Sequence, residues 1–146
     1  MFAWDALIIS PSAELQMQIV TQLKNTNALQ NLHQPHYNMV AYPFSTQYQN
    51  SNQWVLEVLA SAMNGQTQAD RHTNQQWLKQ AGYRPSMLRI PTLQRLGGRM
   101  FKANVAFDDH PNGDRYAGKI EVVTVDSVAD FIKQRDPQSV AQDLKI

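Results

Sequence analysis

Apolar and polar positions alternate along this chain with two different periods. From Phe2 to Ile9 the apolar residues are almost continuous, which predicts a strand. Ser10 and Pro11 follow, a helix start with Ser10 as N-cap and Pro11 as the first helical residue. Leu15, Ile19 and Leu23 then form one stripe, so the helix runs to about residue 25. The next dozen or so residues are rich in Asn, Gln and His and read as a loop. Tyr37 to Tyr42 reads as a second strand, stopped by Pro43. Helical spacing returns near Ser51 or Asn52, with Trp54, Val58, Leu59 and Ala62 on one side and Asn64-Gly65 as the C-cap. A further helix spans about residues 69–81, closes at Gly82 and points Trp77 and Leu78 inward.

The remaining third is more broken. Pro91 opens a short helix ending at Gly97-Gly98. Met100 to Phe107 and Lys119 to Val125 read as strands of an antiparallel hairpin, with Pro111-Asn112-Gly113 as its turn. Asp126 caps a last helix through Val128, Phe131 and Ile132, and residues 137–146 read as a loosely held tail. About four helices and four strands in non-alternating order give an α+β fold with an antiparallel sheet, in one domain over residues 1–146.

Composition narrows the chemistry. The chain has no cysteine, which excludes disulfides, thiolate catalysis and cysteine-ligated zinc. No stretch approaches the roughly 18 apolar residues of a membrane span. The N-terminal run lacks a basic flank and carries Asp5, so it does not read as a signal peptide. The polar surface is built from amides, with 17 Gln and 10 Asn. The net charge of +1 conceals a partition: residues 71–107 hold seven basic residues and no acid, and residues 108–146 hold eight acids against five bases. Such blocks either face each other or meet an anionic partner. Arg84, Arg89, Arg95 and Arg99 are the candidates for an anionic envelope polymer. No nucleic-acid motif is present, and a pI near 8.0 is low for such a domain, so no nucleic-acid partner is expected. No cofactor motif stands out either.

Two places could carry chemistry. Ser51 stands at the start of the central helix, where backbone N–H groups and the helix dipole favour an anion. That suits a nucleophile and its oxyanion, and it equally suits a plain N-cap. His36, heading the predicted strand, is the candidate base, with His33 in the loop before it; both also fit ordinary surface histidines. His72 falls on the outer side of its helix. The second place is Asp108-Asp109-His110 and the loop to Asp114. It reads as a polar turn tied to the arginines of the basic block. The other readings are a divalent-cation site of Asp108, Asp109 and His110, and a catalytic role for His110.

Four segments carry a resemblance: Tyr48 to Glu57, Trp77-Leu78 with Gly82-Tyr83-Arg84-Pro85, Asn104 to Pro111, and Val123 to Val128. Together they resemble a bacterial family of unknown function, mostly exported, that is similar to permuted NlpC-type, papain-like hydrolases. The resemblance implies an amidase-like scaffold, an envelope or periplasmic setting, and a nucleophile at the start of the central helix. Ser51 stands where a catalytic relative carries cysteine. The chain resembles the C-terminal part of that family, without the upstream segment that supplies its histidine. The implied function is therefore an inactive or partial papain-like scaffold acting by binding. The alternatives are a serine-dependent amidase or peptidase using Ser51, and an interaction module. An unpaired sheet edge further implies a homodimer.

Overall fold

The computed structural model describes residues 5–66, 68–90 and 104–145. Its elements run β1 (Asp5–Ser10), α1 (Ala13–Leu23), α2 (Thr26–Asn31), α3 (Ser51–Asn64), α4 (Arg71–Gln80), β2 (Ser86–Arg89), α5 (Asn112–Tyr116), β3 (Lys119–Val122), α6 (Val125–Arg135) and β4 (Val140–Lys145). The fold is α+β, with six helices among the described residues. The sheet is divided into two antiparallel ribbons, β1–β4 and β2–β3.

Several boundaries differ from those the sequence predicts. Ser12, not Ser10, caps α1, and its own N–H donates to Asp136 Oδ2 at 2.7 Å. The Asn/Gln-rich stretch is not all loop, because Asn25 caps the short helix α2 through Ala28 N–H. Tyr37 to Tyr42 is not a strand: it makes one bridge, Tyr37 with Gln49. Asn38 takes over the work of strand pairing with its side chain, which donates to Ala106 C=O and accepts from Ala106 N–H. β3 pairs with β2, in the register Ser86↔Val122 to Arg89↔Lys119, rather than with residues 104–107. Pro111 opens α5 instead of a hairpin turn. Thr124, not Asp126, caps α6, in a reciprocal capping box with Ser127. Residues 140–145, expected in a loose tail, are a strand of six paired positions. The predicted helix from Pro91 to Gly98 lies outside the described residues.

Two apolar clusters hold these elements. The larger joins α3, α4 and α6 through Leu56, Leu59, Leu78, Tyr83, Phe131 and Ile132. Trp77 packs edge-on to Phe131, with ring centroids 6.2 Å apart. The smaller joins Val40 and Phe107 to Ile120 and Val122 of β3. Trp54 and Trp77, both expected in the core, are each only half buried, and of the two Trp77 packs against the larger cluster.

A candidate binding groove at the start of the central helix

α3 is buried on almost every side, and Glu57 is its one ionisable residue. A carboxylate in such a place must be matched by donors. Arg71 Nε donates to Glu57 Oε2 at 2.8 Å, Gln49 Nε2 donates to the same oxygen at 2.6 Å, and Gln75 Nε2 donates to Oε1 at 2.8 Å. Burial pushes the Glu57 carboxyl up, and the Arg71, Gln75 and Gln49 contacts pull it back. The donors do a second job. Arg71 also donates to the carbonyls of Thr46, Tyr48 and Ser45, and Gln49 donates to Leu32 C=O and accepts from Gln34 N–H. Gln53 donates to the carbonyls of Tyr42 and Pro43. One buried network thus fastens the irregular segment between α2 and α3 to the helix. The signal in the sequence is the lone charge of a helix otherwise built from uncharged residues.

That segment and the first turns of α3 enclose a groove of about 400 Å³. Trp54, Val55, Tyr37 and Pro35 form its apolar walls. Gln49 and Asn50 line its buried side, with Ser51, His33 and Gln34 completing it. Asn50 is the N-cap of α3: its side-chain oxygen accepts from Gln53 N–H at 2.8 Å, and its amide donates to Met39 C=O. Ser51 therefore does not cap the helix. It is the first helical residue, its side chain is exposed, and no described residue hydrogen-bonds its hydroxyl.

The candidate histidines separate into three settings. His33 is exposed and lines the same groove as Ser51. His36 is exposed, and its Nδ1 donates to Gln34 Oε1 at 3.0 Å. His110 is buried elsewhere, against Tyr42 and Phe107. Its Nδ1 lies 3.0 Å from Asp109 Oδ1 and its Nε2 lies 3.0 Å from the carbonyl of Glu121. A carbonyl can only accept, so Nε2 is the donor to Glu121, while Nδ1 faces the Asp109 carboxylate. The ring is a cross-link between the 107–111 loop and β3.

Asp109 is further committed through Oδ2, which accepts from Tyr42 N–H at 2.7 Å. Asp108 accepts from Gln47 and Tyr48 side chains. The acidic loop is thus tied to the 42–48 segment; among the described residues no arginine pairs with it, and Arg95 and Arg99 of the basic block lie outside them. Nor do the described residues contain a cluster of three or more His, Asp or Glu arranged to hold a metal ion. Beside His110, burial raises the Glu121 carboxyl and Asp114 adds to the rise, while His110 and Lys79 oppose it. The Tyr42 hydroxyl is raised by burial, then by Glu121 and Asp114. Of the four arginines, Arg84 and Arg89 are exposed, and Arg95 and Arg99 lie outside the described residues. No described helix is long and apolar enough to cross a membrane.

No curated protein and no solved structure matches this chain. Over residues 1–132 it matches the model of a family described as an uncharacterized protein conserved in bacteria (DUF2145). The match covers nine-tenths of the sequence, and the chain belongs to this bacterial family.

Proposed function

We propose that this protein is a binding protein on an inactive papain-like amidase scaffold, and that its ligand lies in the groove beside Ser51. The observation that carries this reading is a formed groove around a hydroxyl to which no described residue hydrogen-bonds, while His110 spends both ring nitrogens on Asp109 and Glu121. Nucleophilic catalysis by serine needs a base within hydrogen-bond reach, oriented by a third group. The groove, in contrast, has the makings of a binding site. Rigid aromatic walls at Trp54 and Tyr37 supply contact area at small entropic cost, and the amides and hydroxyl supply adaptable hydrogen bonds. No carboxylate or permanent cation lines it, so it suits a neutral, amide-bearing chain with an apolar side chain.

The test is a titration with N-acetyl-leucyl-alaninamide, read by amide chemical shifts and tryptophan fluorescence. Shifts centred on Ser51–Val55 and Tyr37, lost in Trp54→Ala, support the reading. Saturating probe with no shift at these residues overturns it.

A second reading is favoured by one specific observation, that Ser51 and His33 line the same groove. On that reading the protein is a serine-dependent amidase. Ser51-dependent release of product from an amide or ester substrate would establish it and displace the first.

A further inference from the structure

Most residues of the β1–β4 ribbon are exposed. Among the described ribbon residues, Ile9 packs against the core cluster. Ala6, Leu7, Ile8 and Ser10 are exposed, and so is β4 from Val140 to Leu144. An isolated two-stranded ribbon is marginal in water, and it becomes stable with further strands or a packed face. Its register tells which side needs cover. Ala6 is opposite Leu144, Ile8 opposite Gln142 and Ser10 opposite Val140, and opposed residues share a face. That face holds no ionisable group, yet Ile8, Val140 and Leu144 are 43%, 52% and 43% exposed on it.

The two outer edges are not equivalent. β4 carries Asp143 and ends at Lys145, and charged residues are what proteins use to blunt an edge. β1 carries one charge, at its first residue Asp5, and from Ala6 to Ser10 has no charge, no proline and no glycine. Among the described residues its outer edge has no partner strand. Unpaired N–H and C=O groups in a row specify an extended strand as the occupant. A copy of β1 fits this edge well. Antiparallel self-pairing about a two-fold axis perpendicular to the ribbon keeps both uncharged faces on the same side, and it brings no like charges together between Ala6 and Ser10. We propose that β1 pairs with β1 of a second copy, joining two ribbons into one sheet ordered β4–β1–β1–β4. This dimer is isologous and independent of the groove.

The absence of cysteine makes the test clean, because a single introduced cysteine is the only thiol. Light scattering at tens of micromolar should give twice the 16.6 kDa chain mass. Ile8→Cys should cross-link to itself on mild oxidation, and Met87→Cys, exposed on β2, should not. Ile8→Lys should return the monomer mass while keeping the helical circular dichroism; should that variant fail to fold, the cross-link alone decides. A monomer mass for the unmodified chain overturns the proposal, and its ribbon then meets a strand of another protein or none. A dimer that cross-links through position 87 and not through position 8 overturns it equally.

Discussion

Arg71→Met keeps most of the apolar stem and removes the cation that faces Glu57. Glu57 is 0% exposed and Arg71 5% exposed, so the carboxylate is left in a dry site. Breaking a buried ion pair from one side costs about 3–5 kcal/mol. The donations to the carbonyls of Thr46, Tyr48 and Ser45 go too, but those carbonyls can turn to water, so they add at most about 1 kcal/mol. Against a typical stability of roughly 5–15 kcal/mol, the variant should be largely folded in the cold and visibly destabilised. Burial already raises the Glu57 carboxyl, and loss of Arg71 raises it further. The folded variant therefore holds a proton that the unfolded chain gives up above about pH 4.3. The deficit should be smallest below that pH and grow as pH rises through the folded value. Urea denaturation at pH 4.5 and pH 7.5 measures both terms. Glu57→Gln in the same chain removes the stranded charge and should recover at least half of the loss. A deficit under about 1 kcal/mol at pH 7.5, or no recovery in the double variant, would refute the network as the fastener of residues 32–50.

Further outcomes follow from the same geometry. Asn50→Ala should cost about 1–2 kcal/mol, and Ser51→Ala a few tenths, in paired thermal melts; equal losses would mean that Ser51 shares the cap. Trp77→Ala should cost about 3 kcal/mol, whereas Trp54→Ala should cost less and abolish groove binding; a reversed order of melting temperatures would contradict the placement of the two rings. Tyr83 is pushed up to about 12, chiefly by burial, with its contact to Ser127 opposing. The folded state keeps that proton while an unfolded tyrosine loses it near pH 10, so roughly 2–3 kcal/mol of stability should vanish between pH 10 and pH 12. Tyr83→Phe should flatten that slope, as followed by denaturant melts across the range.

The central helix was legible because its pattern is long and its end is marked: Gly65 sits at φ +69°, the left-handed C-cap that Asn64-Gly65 predicts. Caps were legible only to within a residue or two. Ser10, Ser51 and Asp126 are all competent caps by type, but the chain uses Ser12, Asn50 and Thr124, because tertiary partners such as Asp136 and Met39 select among neighbours. The segment from Tyr37 to Tyr42 has strand composition, yet its backbone turns on itself, Ala41 N–H donating to Asn38 C=O, and the Asn38 side chain replaces the ladder. β2 was hidden by its exposure, since nothing on Met87, Leu88 and Arg89 alternates between core and solvent. The groove was half legible. Ser51 and the start of α3 were singled out, but the amides that shape the groove, Gln49 and Asn50, are common here and gave no signal. Glu57 did give one, as the charge with no place in an apolar helix.

The proposed binding role requires Ser51 to be a groove residue and not a nucleophile. Incubation with a serine-reactive phosphonate, followed by peptide mass spectrometry, asks this directly. A binding groove gives no phosphonate adduct on the peptide carrying Ser51 while the probe N-acetyl-leucyl-alaninamide still shifts the amides of Ser51–Val55. A stoichiometric Ser51 adduct that Ser51→Ala abolishes and His33→Gln suppresses would contradict it.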